Sequence, residues 1–365
     1  MTERLQWATR LLQSALPSEL QTVALKVCLH ADAAAFEDWR QRIGTTGEAR
    51  YVLGGRTERL RRLLSLLYVR FQQSDVVLDK SLTTYLRTAR AREQLRTESV
   101  RQICQDAITH LHDASVSPIV LKGMAVAETV YPEPSTRHCH DLDLLLPSAQ
   151  MPAAATALID AGYTLSSPPP GASNTSRWFS HPSAFQIGLH SSLYRIAAWN
   201  SDTTRVMGRS VPASIAGRSV RILSPHDALV HICCSGLAAG SRHSPCWAPD
   251  SWYLLQRAGD SFDWQALVAD ARASDRHPAI LVGLQYLARK LCAPIPEGAL
   301  HELRSIPPRR AGIDSMLGAA LLSVWDSPLG MIRRAGNPAD VARTAWWLLA
   351  RPRESNEDPG NAQRA

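Results

Sequence analysis

Pro118-Ile119-Val120-Leu121-Lys122-Gly123, followed downstream by Asp141-Leu142-Asp143-Leu144-Leu145-Leu146-Pro147, is the stretch that decides the fold. The first run is short and β-branched, and Met124 to Tyr131 after the glycine has helical character, so it reads as strand, tight turn and helix. A loop punctuated by proline, Pro132 to Arg137, leads into the second run, which reads as a strand closed by Pro147. Side chains at i and i+2 of a strand project from one face, so Asp141 and Asp143 point the same way while Leu142 and Leu144 pack into the core behind them. Two carboxylates on one rigid face suit a divalent cation. Magnesium takes one or two carboxylates and completes its shell with water and substrate phosphates.

The neighbouring residues fit phosphate chemistry. Lys122-Gly123 lies where a strand becomes a helix, so backbone N–H groups and the helix dipole can face a phosphate, with Gly123 permitting close approach. Lys122 adds a point charge in a chain where only four of the 40 basic residues are lysines. Arg137, in the loop before the acidic strand, offers a fork for phosphate oxygens. The layout is that of phosphoryl or nucleotidyl transfer, with Mg2+ as cofactor.

Working outward, the 365 residues are expected to form an α+β protein. Residues 1–100 read as a helical region, with apolar residues at three- and four-residue steps through Leu60, Leu63, Leu64 and Leu67; residues 101–223 form the transferase-like core. Residues 224–350 form a second helical domain, and 351–365 a polar tail expected to be disordered. Within the core, Gly162 to Leu165 starts a strand, Ser166 to Ser176 is a proline-rich loop, and Arg177 to His181 with Phe185 to His190 make a hairpin. The C-terminal helices are expected around Asp227 to Cys234, Trp252 to Arg257, Trp264 to Ala273, Ala279 to Leu291 and Asp340 to Leu349. The Arg- and Glu-rich segment from Arg59 to Arg101 reads as a solvated helix face.

Composition narrows the classes of function. At 45% hydrophobic and 20% charged the chain is an ordinary globular protein, and no uncharged apolar stretch reaches the ~18 residues of a membrane helix. The N-terminus lacks the order of a signal peptide, which with seven irregularly spaced cysteines points to reduced thiols in the cytoplasm. Cys233, Cys234, His243 and Cys246 match no zinc spacing, and His138-Cys139-His140 fares little better. The net charge of +7 comes from dispersed arginines without interleaved aromatics, which points away from a nucleic-acid partner. Trp247, Trp252 and Trp264 sit at core spacing, and Asp250 and His231 are weak candidates to approach the cleft.

The run Val120-Leu121-Lys122-Gly123, Tyr131-Pro132, Arg137 and Asp141-Leu142-Asp143-Leu144-Leu145 resembles the signature of an uncharacterised bacterial nucleotidyltransferase family of the DNA polymerase β-like superfold. Gly162-Tyr163, Leu223 to Leu229 and Asp263 to Leu267 extend the likeness over roughly Ser99 to Pro296. The resemblance implies a small mixed sheet flanked by helices, Mg2+ on Asp141 and Asp143, phosphate contacts from Lys122, Gly123 and Arg137, and transfer from a triphosphate to an acceptor. Because such families often sit among genes for peptide natural products, it also implies a small-molecule or peptide hydroxyl as acceptor. One position departs from the pattern. Where such transferases carry a third carboxylate, this chain has Gly188, within Phe185-Gln186-Ile187-Gly188-Leu189-His190. The third acid normally helps to hold the metal and activate the hydroxyl. His190 is the remaining candidate base, and two further readings stand beside nucleotidyl transfer: a phosphotransferase on the same fold, and a weakened module that binds nucleotide or peptide.

Overall fold

Two leucine-rich strands, β1 (Ile119–Leu121) and β2 (Asp141–Leu145), pair antiparallel at the centre of a seven-stranded mixed sheet. The structure, a computed structural model, describes residues 13–309 except 14, 31, 56–58, 168–174, 195, 197–198, 200–202, 239–243 and 308. The helix expected at Asp340 to Leu349, the tail 351–365, His243 and most of the proline-rich loop lie outside the described residues. All described residues fall within one compact unit, Met1–Ser323.

Before the sheet come α1 (Glu19–Leu29), α2 (Ala33–Arg42), α3 (Ala49–Gly54), α4 (Leu64–Gln72) and the 34-residue α5 (Lys80–Asp113). Helix α6 (Lys122–Thr129) joins β1 to β2, and α7 (Met151–Asp160) precedes β3 (Thr164–Ser166), β4 (Ser176–Ser180) and β5 (Gln186–His190). Then follow α8 (Thr203–Gly208), β6 (Val211–Ile215), β7 (Arg218–Ile222), α9 (Pro225–Ala238), α10 (Trp247–Ala258), α11 (Trp264–Ala273), α12 (His277–Leu291) and α13 (Glu297–Ser305). Across the sheet the order is β3-β4-β5-β2-β1-β7-β6, with β2 parallel to β5 and β1 parallel to β7. The β6–β7 hairpin was not anticipated. It turns on Ala216 and Gly217, both at positive φ as a two-residue type I′ connection requires.

The sheet has two different faces. Val120, Leu142, Leu144, Ile187 and Leu189 point to one side, where the second half of α5 and α7 cover them. That half of α5 buries Val100, Ile103, Cys104, Ala107, Ile108 and Leu111, a three–four spacing that lays one stripe on the strands. Ile119, Leu121 and Leu145 point to the other side, into a core shared by the N-terminal helices α1–α4 and the C-terminal helices α9–α13. Polar ties cross that core: Arg70 Nη2 donates to Tyr253 Oη at 2.8 Å, and Thr22 Oγ1 lies 2.9 Å from Tyr286 Oη.

The loop before β2 is pinned from α5. Arg90, 6% exposed, donates to Ser65 Oγ (3.0 Å) and Ser135 Oγ (2.8 Å) and pairs with Glu133, while Ser65 Oγ donates to the Ser135 carbonyl at 2.7 Å. Arg90 thus sets where the acidic strand begins. No described helix is long and apolar enough to cross a membrane.

Leu144 has no exposed surface and forms the floor beneath the two aspartates. Leu144→Ala is expected to lower unfolding free energy by about 2–5 kcal/mol in chemical denaturation. A loss below about 0.5 kcal/mol would show that this face is not packed as described.

Candidate active site

Strand register brings the site together. Leu121 pairs with Asp143 across β1–β2, Asp143 pairs with Gly188 across β2–β5, and Gly188 pairs with Trp178 across β5–β4, so these side chains share one face. Asp143 is 4% exposed and both carboxylate oxygens are engaged: Lys122 Nζ lies 2.9 Å from Oδ2, and His190 Nε2 lies 2.8 Å from Oδ1. Burial would raise the Asp143 carboxyl, but the Lys122 ammonium and His190 outweigh it and hold it well below the usual carboxylate range. Asp143 is therefore an anion at any working pH.

Asp141, one pleat earlier, lies nearer solvent, and its Oδ2 lies 3.4 Å from His140 Nε2. Burial first, and then repulsion from Asp143, push its carboxyl up to about 7. His140 stacks on His138, ring centroids 5.9 Å apart, and His138 Nδ1 in turn lies 2.9 Å from Glu93 Oε2 on α5. Burial, followed by the charge of Arg62, brings His140 down to about 3, so that imidazole is neutral.

Two residues expected at phosphate, Gly123 and Arg137, sit in defined surroundings. Left-handed backbone falls on Lys122 (φ +48°) and not on Gly123, and α6 begins at Lys122. A non-glycine residue in that region costs of order 1 kcal/mol, and the Lys122–Asp143 ion pair offsets it. A Cβ on Gly123 would meet Cys139 Sγ at 3.4 Å, an ordinary contact, so no steric demand makes that residue glycine. Arg137 is held by a buried carboxylate. Its Nε and Nη2 donate to Asp250 Oδ1 and Oδ2, both at 2.8 Å, its Nη1 donates to the His138 carbonyl, and Tyr131 Oη donates to Asp250 Oδ1 at 2.8 Å. The fork intended for phosphate is occupied by a buried carboxylate from α10, which makes Arg137 a positioning group for the loop before β2.

Gly188 explains why His190 reaches Asp143. A Cβ at position 188 would lie 2.7 Å from His190 Nε2 and 3.0 Å from both Asp143 Oδ1 and Trp178 Cη2. The imidazole therefore occupies the space a third carboxylate would need, and Trp178 meets it edge-on with centroids 5.5 Å apart.

Three further features surround the site, the first of them a residue the sequence offered only as a weak candidate to approach the cleft. His231 on α9 is 1% exposed and, among the described residues, neither ring nitrogen has a hydrogen-bond partner. It lines an apolar cavity of about 290 Å3 together with Lys122, Leu121 and Arg257. The signal was its place in the Pro225-to-Ala238 helix, but nothing in that pattern shows which neighbour it faces. The second feature is the cluster of His226, Asp227 and Asp270, which has metal-ligating atoms close together but already holds Arg209 Nη2 against both carboxylates and Arg205 against Asp270. It is a neutralised ion-pair network. The third, a basic groove beside His138, is treated below. No disulfide joins the described cysteines, and burial pushes Cys139 and Cys233 up to about 12.

Two carboxylates and a lysine thus meet at a strand–helix turn on one face of the sheet. Residues 56–291 match the family described as uncharacterised nucleotidyltransferase, and the chain belongs to that family. Among solved structures, that of the antibiotic-resistance factor ANT(2'')-Ia, determined in solution, is similar over 54% of this chain and 95% of its own, with 11% identity and a TM-score of 0.34. No curated protein matches the chain.

Two outcomes test the geometry. Burial, and then the charge of Lys122, lower His231 to about 3, so the unfolded chain takes up a proton below pH 6.5 while the folded one does not. Stability is then lost as pH falls from 6.5 toward 3, and His231→Leu should flatten that slope by up to about 1.4 kcal/mol per pH unit. An unchanged slope would mean that the folded imidazole protonates freely. Gly188→Asp should cost about 1–3 kcal/mol by displacing His190. His190→Ala in the same chain should recover most of it, and additive losses in the double-mutant cycle would disprove the clash.

Proposed function

We propose that the chain transfers a nucleotidyl group from a nucleoside triphosphate, ATP foremost, to a hydroxyl of a small molecule or peptide, on a polymerase β-like core. The observation that carries this reading is the pair Asp141 and Asp143 on one sheet face, with Lys122 and the start of α6 beside them. The donor set fits one hard divalent cation: two carboxylate oxygens on a shared face, one of them on a carboxyl whose ionisation is costly until a cation neutralises the pair. Asp141 and Asp143 would hold Mg2+, which when bound neutralises developing phosphate charge.

The chain's own residues then divide the work. Lys122, whose side chain is 39% exposed, already neutralises Asp143 and lies within reach of an entering phosphate. The first amides of α6 add a dipole aimed at the same charge. Apolar walls and the unpartnered His231 fit the cavity beside Lys122 to the nucleoside end of the donor. The acceptor oxygen attacks the α-phosphorus, the bond to the β-phosphate oxygen breaks, and pyrophosphate leaves. His190, oriented through Nε2 by Asp143, accepts the hydroxyl proton at its other ring nitrogen.

The glycine at 188 supports a second reading. With one carboxylate fewer, a single cation and positioning can suffice for transfer of the γ-phosphoryl group. Calorimetry with ATP, GTP, CTP and UTP, with and without Mg2+, should show metal-dependent binding that Asp141→Ala/Asp143→Ala abolishes. In turnover with donor labelled at the α- or γ-phosphate, α-label in the product identifies nucleotidyl transfer and γ-label phosphoryl transfer. Asp143→Asn should lower the rate by about 10²-fold or more with the fold intact. Full activity in that variant, or no triphosphate binding by the wild type, would overturn the assignment and favour a recognition module.

A further inference from the structure

The segment read as a solvated helix face instead lines the larger of the two cavities beside the candidate site. Arg50, Arg61, Arg62, Lys80, Arg92 and Arg96 surround a groove of about 1100 Å3, between the first half of α5 and the start of α3 with the turn before α4. Hydroxyls from Ser81, Thr84, Tyr85 and Thr88 add donors to its wall. Glu93 is its one lining carboxylate, and that is taken up by His138. The neighbouring Glu133 is taken up by Arg90. Among the described residues none of the six cations forms an ion pair with a carboxylate, in a chain whose other arginines repeatedly do. Such a concentration of one sign in a concave wall is unfavourable unless an anion resides there, and it focuses field toward anionic ligands.

The groove opens onto the acidic strand. His138 lines it, His140 stacks on His138 at 5.9 Å, and His140 Nε2 lies 3.4 Å from Asp141 Oδ2. Two imidazoles thus connect the wall of the groove to Asp141.

We propose that this groove is the acceptor site, and that the acceptor is a phosphate-bearing molecule with more than one anionic group. This rests on the transferase reading above and names its second substrate. Lysine and planar arginine forks together with hydroxyl donors match phosphate oxygens. The volume, nearly four times that of the apolar cavity, leaves room for more than one such group.

The test uses the full chain and two fluorescent probes: a nucleoside 3',5'-bisphosphate and a single-stranded pentaribonucleotide. Arg92 and Arg96 are exposed on α5, so Arg92→Glu/Arg96→Glu leaves the core untouched, and Arg289→Glu/Lys290→Glu on α12 is the charge-matched control. At least one probe should bind wild type with marked salt dependence, lose about tenfold or more in affinity in the α5 variant, and be unaffected in the control. Binding of the bisphosphate marks a small-molecule acceptor, and binding of the pentaribonucleotide alone marks an RNA end. No binding of either probe, or equal losses in both variants, would overturn the proposal. Displacement of bound probe by Mg2+–ATP would also overturn it, because the groove would then be the donor's own site. If Asp143→Asn abolishes triphosphate binding but not probe binding, the two sites are separate. If wild type binds a probe but no triphosphate, the transferase reading falls and the anion site stands.

Discussion

A single buried carboxylate, Asp143, organises this molecule. It sits in the middle strand of a seven-stranded sheet, where an isolated anion would be prohibitively costly, and it is stable there because Lys122 and His190 each satisfy one oxygen. Each partner is placed by a separate backbone device. Lys122 reaches it by adopting left-handed backbone at the end of β1, and His190 reaches it by crossing above a residue without a side chain. Remove either device and the charge at the centre of the sheet loses its counterpart.

The same constraint explains Gly188. A third acid there would set three carboxylates around one point with Lys122 as the nearby cation, and would evict His190 besides. Glycine with histidine gives the site a different charge balance: two carboxylates, one ammonium and one imidazole. In the proposed reaction that balance suits a single cation, and the proton-accepting role is assigned to a ring whose orientation Asp143 fixes. Gly188 and His190 belong together physically: the missing side chain at one position leaves room for the imidazole of the other beside Asp143.

Much of the fold and the acidic pair was legible because strands announce themselves by alternation and termination. Asp141-Leu142-Asp143-Leu144 alternates charge and leucine, and the structure puts Leu142 and Leu144 against α5 and α7 with the aspartates opposite. The hairpin β4–β5 and four of the C-terminal helices followed from the same local patterns. The β6–β7 hairpin was missed because its turn, Ala216-Gly217, lacks the Asn or Asp that usually marks a type I′ connection. The ion pair of Arg137 was not legible for a different reason. Its neighbours in sequence advertise phosphate binding, but its partner, Asp250, comes from a helix far along the chain, and no local pattern reports a long-range ion pair.

Arg92 and Arg96 show the limit of periodicity most plainly. Helical spacing puts them four and eight residues before Val100, on the flank of its buried stripe, and on one helix alone exposure is indistinguishable from membership of a cavity. What decides between the two is where the turn before α4 lies and which carboxylates are already taken. Glu93 is held by His138, itself fixed by the loop that Arg90 pins, and Glu133 is held by Arg90. The two acids that would have neutralised this wall are thereby spent on positioning the strand that bears Asp141 and Asp143. The loop that builds the acidic site and the surplus of positive charge beside it have one cause, so a chain that keeps Arg90, Glu133, His138 and Glu93 in these contacts leaves its basic groove open to an external anion.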